Sequence, residues 1–160
     1  MIRTCTSSDA AQICDIYNFY VRETVVTFEE APVSVVEMKE RIDGVKAVMP
    51  WIVWDEAGSI AGYAYATPWK ARSAYRFSAE CSIYLAPLAT RKGIGTKLYQ
   101  ALIDELKRLG VHCVVGGAAL PNAASAALHA KLGFEKSAEF REVGWKHQRW
   151  VNVAYWQKPI

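Results

Sequence analysis

The chain reads as an α/β (α+β) fold, one domain over residues 1–160, in which helices flank a mixed, largely antiparallel central sheet. Three observations predict it. Ile94, Leu98, Leu102, Leu106 and Leu109 recur on one face of a helix whose other face carries Lys97, Gln100, Asp104, Lys107 and Arg108. Short strand-like runs, Trp51 to Trp54 and Ile60 to Ala66, are joined by Asp55-Glu56-Ala57-Gly58, a hairpin turn with its expected glycine. Finally, 160 residues, 52% of them hydrophobic, suffice to bury one core without repeats, low-complexity tracts or linkers.

The remaining elements follow in order. Ser8 or Asp9 can cap a first helix containing Ile13, Ile16, Tyr17 and Tyr20; Ser34 can cap a second through Val36, Met38 and Ile42, ending at Gly44. A strand over Tyr75 to Leu85 leads into the amphipathic helix, which Gly110 should stop. An apolar strand, Cys113 to Val115, comes next, then a short helix from about Asn122 to Leu132 stopped by Gly133. Strands near Phe134 to Arg141 and Val151 to Trp156 complete the chain.

Composition narrows the class of function. A net charge of +3, with basic residues dispersed through the chain, argues against nucleic acid as a partner. The start lacks an apolar signal core and no run approaches the ~20 residues of a membrane span, so the expectation is a cytoplasmic protein with no membrane partner. Cys5, Cys14, Cys81 and Cys113 are too far apart for a metal or redox pair and are expected to be reduced, buried thiols, with no metal site.

Thr90-Arg91-Lys92-Gly93-Ile94-Gly95-Thr96 joins a strand to the amphipathic helix and has the makings of a phosphate site. Its glycines admit close backbone approach, and a helix N-terminus adds partial positive charge beside Arg91 and Lys92. A dinucleotide fingerprint would need glycine where Leu98 stands, and a P-loop would need Gly-Lys-Ser/Thr where the order is Gly95-Thr96-Lys97. The turn by itself is equally compatible with a plain structural junction. It resembles the pyrophosphate turn, Gln/Arg-x-x-Gly-x-Gly/Ala, of the acyl-CoA-dependent N-acetyltransferases of the GNAT superfamily, with Thr90 at the Gln/Arg position.

The resemblance extends over nearly the whole chain, from Cys14-Asp15-Ile16-Tyr17-Asn18 to Tyr155-Trp156-Gln157, and is densest at Ala61 to Tyr75. That stretch contains Pro68-Trp69-Lys70-Ala71-Arg72-Ser73-Ala74-Tyr75 and is similar to the phosphinothricin and methionine sulfoximine acetyltransferases. It implies a GNAT-type sheet, acetyl-CoA as co-substrate, an amino-acid substrate and a homodimer. It further implies that Ile83, Tyr84, Leu85, Arg91, Lys92, Gly93, Ile94, Gly95, Thr96, Asn122 and Ser125 serve the cofactor. On the same grounds Phe28, Lys70, Arg72 and Tyr75 contact the substrate.

Two residues are catalytic candidates. Glu80 stands in the otherwise apolar and small stretch Phe77 to Tyr84, and an amino-acid ammonium must lose a proton before it can attack a thioester, so a base is required. By resemblance Glu80 is that base; from the residues alone it could equally pair with Arg72 or Arg76 at a strand edge. His129 matches the helix position that in many GNAT enzymes protonates the leaving thiolate. It could give that proton, orient Glu80, or simply be structural. Likewise, from the residues alone, Lys70 and Arg72 could be solvated loop cations, Phe28 a core residue and Asn122 an ordinary helix cap. The resemblance also implies that the strand Ile83 to Leu85 splays from its neighbour, pairs with pantetheine amides and offers an N–H to the thioester carbonyl, where the residues alone read only as a buried strand. Lys146-His147-x-x-Trp150 also matches the subfamily, whereas its following His and Asp are Val151 and Asn152 here.

The reading is direct acetyl transfer from acetyl-CoA to the α-amino group of a phosphinothricin- or methionine sulfoximine/sulfone-like amino acid. A GNAT enzyme for another small amine or peptide N-terminus, and a catalytically silent acyl-CoA-binding module, are the alternatives.

Overall fold

A computed structural model describes residues 1–160. Its elements are β1 (Ile2–Thr4), α1 (Ala10–Glu23), α2 (Val35–Lys46), β2 (Trp51–Glu56), β3 (Ser59–Pro68), β4 (Ser78–Leu85), α3 (Ile94–Arg108), β5 (Cys113–Ala119), α4 (Ala123–Lys131), β6 (Glu135–Lys146) and β7 (Arg149–Pro159). The strands form one sheet in the order β1-β2-β3-β4-β5-β7-β6, antiparallel at every pairing except β4 with β5. The mixed, largely antiparallel sheet flanked by helices is as expected.

Side-chain alternation along the central strands builds the two layers around that sheet. Trp51, Val53, Ile60 and Tyr63 face α1 and α2, where they pack with Ile13, Tyr17, Val21, Met38 and Ile42. Ile52, Ala64, Ala66, Ala79 and Cys81 face the other way and pack with Leu98, Leu102 and Leu106 of α3. Small side chains on this side of β3 and β4 let α3 lie close to the sheet. Each of the three leucines is fully buried, worth roughly 1.5–3 kcal/mol apiece. Together they outweigh the ~1 kcal/mol of a side-chain cap, which α3 lacks at its N-terminus.

Several boundaries differ from the sequence reading. Gly44 lies inside α2, which continues to Lys46 and is capped as expected by Ser34, whose hydroxyl accepts from Glu37 N at 3.1 Å. Leu109 is 60% exposed, because α3 ends at Arg108 before that residue can turn inward. The strand expected from Tyr75 begins only at Ser78; Ser73–Tyr75 form one 3-10 turn. β6 and β7 are longer than their apolar runs, and β6 is bulged between Phe140 and Gly144. β1 was not anticipated: three residues give too short an alternation to detect, and its pairing with β2 (Ile2 opposite Trp54) supplies the structure. Of the four free cysteines, Cys113 is only partly buried. No helix is long and apolar enough to cross a membrane.

Candidate active site

The sheet opens at its centre. β4 and β5 pair in parallel from Ser78 opposite Cys113 to Cys81 opposite Gly116, and there the pairing stops. Beyond it, residues 82–85 stay with β3 while residues 117–119 stay with β7. The result is a cleft between two neighbouring strands whose inner edges lack strand partners. Glycine is required on the β5 side at the point of divergence. A Cβ on Gly116 would lie 2.2 Å from His129 Nε2 and 2.7 Å from the Tyr99 hydroxyl.

A cavity of about 620 Å³ occupies the α3/α4 face of this cleft. Its floor includes Cys81, Ile83 and Leu85 from β4, and its rim includes Arg91, Gly93, Gly95 and Thr96 at the start of α3. Gly93, at φ 77°, is the N-cap, and no side chain accepts from the first-turn N–H groups, which leaves α3 with unpaired donors at the cavity rim. Arg91 also adopts a left-handed conformation, φ 61°, a strained choice for a side chain with a Cβ and one characteristic of ligand-holding turns. Free amides, an adjacent guanidinium and a glycine-shaped turn fit a pyrophosphate. Across the cavity, Asn122 caps α4, its side-chain oxygen accepting from Ser125 N at 2.9 Å.

His129 lies at the bottom of this cavity, 3% exposed, stacked on Trp156 with ring centroids 4.9 Å apart and edge-on to Tyr99 and Phe134. Nδ1 is 2.8 Å from the Ser125 carbonyl, which can only accept, so Nδ1 carries the proton. Nε2 is then an acceptor for the Tyr99 hydroxyl at 3.3 Å. Burial lowers the imidazole pKa further, so donation from Nε2 would require a charged ring that this environment disfavours. Neither nitrogen bonds to Glu80, and His129 and Glu80 line different cavities, so the geometry offers no support for His129 orienting Glu80.

Glu80 opens into the second cavity, about 1010 Å³, on the α1/α2 side of the sheet. Alternation along β4 places Ser78, Glu80, Ser82 and Tyr84 there and Cys81 on the opposite side. The walls are aromatic: Trp69 meets Tyr155 edge-on at 5.7 Å, Phe140 meets Tyr155 at 5.9 Å, and Phe28 and Tyr75 complete the enclosure. Burial raises the Glu80 pKa, and the Lys70 ammonium partly offsets this. Ser82, Tyr84, Gly117 and Ala118 line both cavities, so the two meet across the opening in the sheet. A ligand from one side can thereby reach a ligand from the other.

A search for relatives agrees with this architecture. Residues 2–154 match the acetyltransferase (GNAT) domain. The chain belongs to the GNAT family. It is 36% identical to phosphinothricin N-acetyltransferase of Streptomyces viridochromogenes, covering 99% of this chain and 87% of that one. Identity to the L-methionine sulfoximine/L-methionine sulfone acetyltransferase of Salmonella typhimurium is 35%, over 99% and 94% of the two chains. The crystal structure of a phosphinothricin acetyltransferase from Sinorhizobium meliloti in complex with acetyl-CoA superposes with a TM-score of 0.96 at 38% identity, covering 100% of this chain and 88% of that one. The protein is therefore an N-acetyltransferase that uses acetyl-CoA.

Most residues singled out in the sequence converge on this GNAT site. Ile83, Tyr84, Leu85, Arg91, Gly93, Gly95, Thr96, Asn122 and Ser125 line the first cavity, and Phe28, Lys70 and Tyr75 the second. Three do not. Ile94 is 4% exposed and packs into the core as the first apolar residue of α3; Lys92 is exposed outside the cavity. Arg72 is exposed as the N-cap of the 3-10 turn and does not line the second cavity. Of the two departures, Val151 is buried with Val25 and Ala119, and Asn152 Oδ1 accepts from Glu142 N at 2.9 Å across the β6 bulge; neither lines either of these two cavities. Sequence reasoning missed Tyr99, whose helical spacing marks it only as a core residue. It also missed Tyr20, whose hydroxyl donates to Leu85 O at 2.7 Å beside the first cavity.

Proposed function

We propose that the protein acetylates the α-amino group of small amino acids of the phosphinothricin or methionine sulfoximine/sulfone type by direct transfer, with Glu80 as general base. The observation that carries this reading is Glu80 itself: a half-buried carboxylate of raised pKa, facing an aromatic-walled cavity that meets the cofactor cavity through the open sheet. Acetyl-CoA, when bound, supplies an acetyl group activated as a thioester. The α3 turn, with Arg91, Gly93, Gly95 and Thr96, is suited to hold its pyrophosphate, and the inner edge of residues 82–85 to pair with its amides. Lys70 attracts the anionic end of the amino acid, Phe28 and Tyr75 enclose it, and the Glu80 carboxylate takes one proton from its ammonium. His129 acts as a support that fixes the Tyr99 hydroxyl on the cofactor cavity floor.

Direct transfer is favoured by Cys81, the cysteine nearest the chemistry. It lies on the opposite face from Glu80 and burial raises its thiol pKa, so no base activates it as an acyl carrier. A homodimer is favoured by β6, an outer strand carrying exposed Phe140, Val143 and Trp145, with Trp150 of β7 exposed beside Trp145. Four free thiols favour a reducing compartment such as the cytoplasm.

The test is release of CoA across a panel of amines. Phosphinothricin, methionine sulfoximine and methionine sulfone are expected to give kcat/KM well above ordinary amino acids and peptide N-termini. Turnover confined to peptides or to non-amino-acid amines would overturn the substrate assignment, and no turnover with any amine would overturn the catalytic one.

The cofactor assignment is tested separately. Gly95 is buried, with an added Cβ already 3.4 Å from Leu85 and 3.8 Å from Ile83. Gly95→Val is expected to raise the KM for acetyl-CoA about tenfold or more and to change that of the amine little. Steady-state kinetics with each substrate varied in turn decides this; equal effects on both would remove Gly95 from the cofactor site.

A further inference from the structure

The substrate-cavity wall that carries Phe28 belongs to a ten-residue connection, residues 24–33, with no regular secondary structure. Such a segment needs outside ties to hold an aromatic ring in place. At its far end Asn18 clamps Val33 with both ends of its amide, Nδ2 donating to Val33 O and Oδ1 accepting from Val33 N, each at 2.8 Å. Arg41 pairs with Glu29 at 2.6 Å. The middle is tied at Thr27, whose hydroxyl shares a hydrogen bond of 2.8 Å with the Tyr17 hydroxyl.

Further ties come from the other end of the chain, where His147 Nε2 lies 3.3 Å from the Thr24 carbonyl and Lys146 reaches Thr27. Lys146, at the end of β6, is 2% exposed, and its ammonium donates to the Thr27 carbonyl at 2.8 Å. Lysine is almost never buried to this extent, since desolvating the ammonium is costly. Burial lowers its pKa, opposed by the charges of Glu30 and Glu29 on the same connection. Two residues earlier, Gly144 leaves room for the Phe28 ring: a Cβ there would lie 2.2 Å from Cζ and 2.4 Å from Cε1. One strand end thus grips the backbone beside Phe28 and provides the bed for its ring.

We propose that Lys146 is a positioning residue for substrate selection, which, together with the Gly144 bed, fixes Phe28 as one wall of the amino-acid cavity. This rests on the reading of that cavity as the substrate site. Lys146 touches neither cavity and acts only through the 24–33 connection. The side chain matters for the width of the opening between Phe28 and the aromatic wall opposite, and so for which amino-acid side chains fit.

Two variants reach the same ring by different routes. Lys146→Met keeps an unbranched apolar stem and removes the ammonium; Gly144→Ala leaves Lys146 intact and pushes the ring off its bed. Each is expected to raise the amino-acid KM about tenfold, with kcat and the acetyl-CoA KM within about twofold, and to reduce discrimination among amino-acid side chains. The double variant is expected to be no worse than the stronger single one, since both act through Phe28. Hydrogen exchange provides a readout independent of turnover: amides of residues 26–29 should exchange faster in Lys146→Met, while those of α3 do not. Folded Lys146→Met with unaltered exchange at 26–29 and an unaltered substrate profile overturns the proposal. If Lys146→Met does not fold, Gly144→Ala decides, and an unchanged amino-acid KM there overturns it equally. Faster exchange at 26–29 without any change in amino-acid KM would uphold the tether but overturn its role in selection; the substrate-cavity reading itself is tested apart, by the amino-acid KM of Lys70→Ala.

Discussion

Glu80→Gln is expected to turn over roughly 10²–10⁴-fold more slowly than the parent at neutral pH, the range of a well-placed general base. The substitution keeps shape and hydrogen-bonding capacity, so acetyl-CoA affinity should be unchanged. Burial raises the Glu80 pKa, and therefore the parent enzyme should lose activity as pH falls through that raised value, where the carboxylate becomes protonated and cannot accept. In the variant this acid limb should vanish. Its rate should instead climb with pH as free amine becomes available, recovering part of the loss. A pH–rate profile of the variant that overlays the parent at every pH would assign the proton to another acceptor.

Lys70→Ala comes second. Lys70 is the cation that both lines the second cavity, proposed to hold the amino acid, and lowers the Glu80 pKa. Its side chain is exposed, which limits the worth of a charge-assisted contact to about 1–2 kcal/mol, or about tenfold in amino-acid KM. Loss of the ammonium should also move the acid limb of the pH–rate profile upward, because only burial then acts on Glu80. Arg72→Ala should do much less, since Arg72 lies outside the cavity. Kinetics of both variants over pH would show it. A larger effect from Arg72 than from Lys70, or no shift of the limb in Lys70→Ala, would reverse the assignment.

The difference between those two cations illustrates what the chain reveals before it is folded. Periodicity marks α3 because its leucines recur every three to four residues, and Gly93 marks the turn because its left-handed backbone conformation favours glycine. Glu80 stands out because a carboxylate among small apolar residues calls for a reason. These are local signals. By contrast, Lys70 and Arg72 look equivalent in sequence, yet only Lys70 lines the second cavity, while Arg72 stands exposed outside it as the N-cap of a 3-10 turn. Tyr99 and His129 meet from two helices, and Lys146 reaches Thr27 across 119 positions, so their partnerships arise only from tertiary packing. Resemblance to the GNAT family anticipated the splayed strand; alternation and propensity alone read residues 82–85 as ordinary buried strand.

That parting of β4 from β5 has a consequence for the protein as a folded object. A strand edge in the middle of a sheet is an anomaly: its N–H and C=O groups would ordinarily be paired, and edges left open invite another chain. In the reading proposed above, the missing strand is supplied by acetyl-CoA and not by the polypeptide. A small molecule that completes the hydrogen bonding adds its binding energy to the folding equilibrium, about 2.7 kcal/mol at a hundredfold excess over its dissociation constant. On that reading the supply of acyl-CoA becomes a structural variable, and the edge proposed to serve the reaction would also set how firmly the sheet is sewn shut.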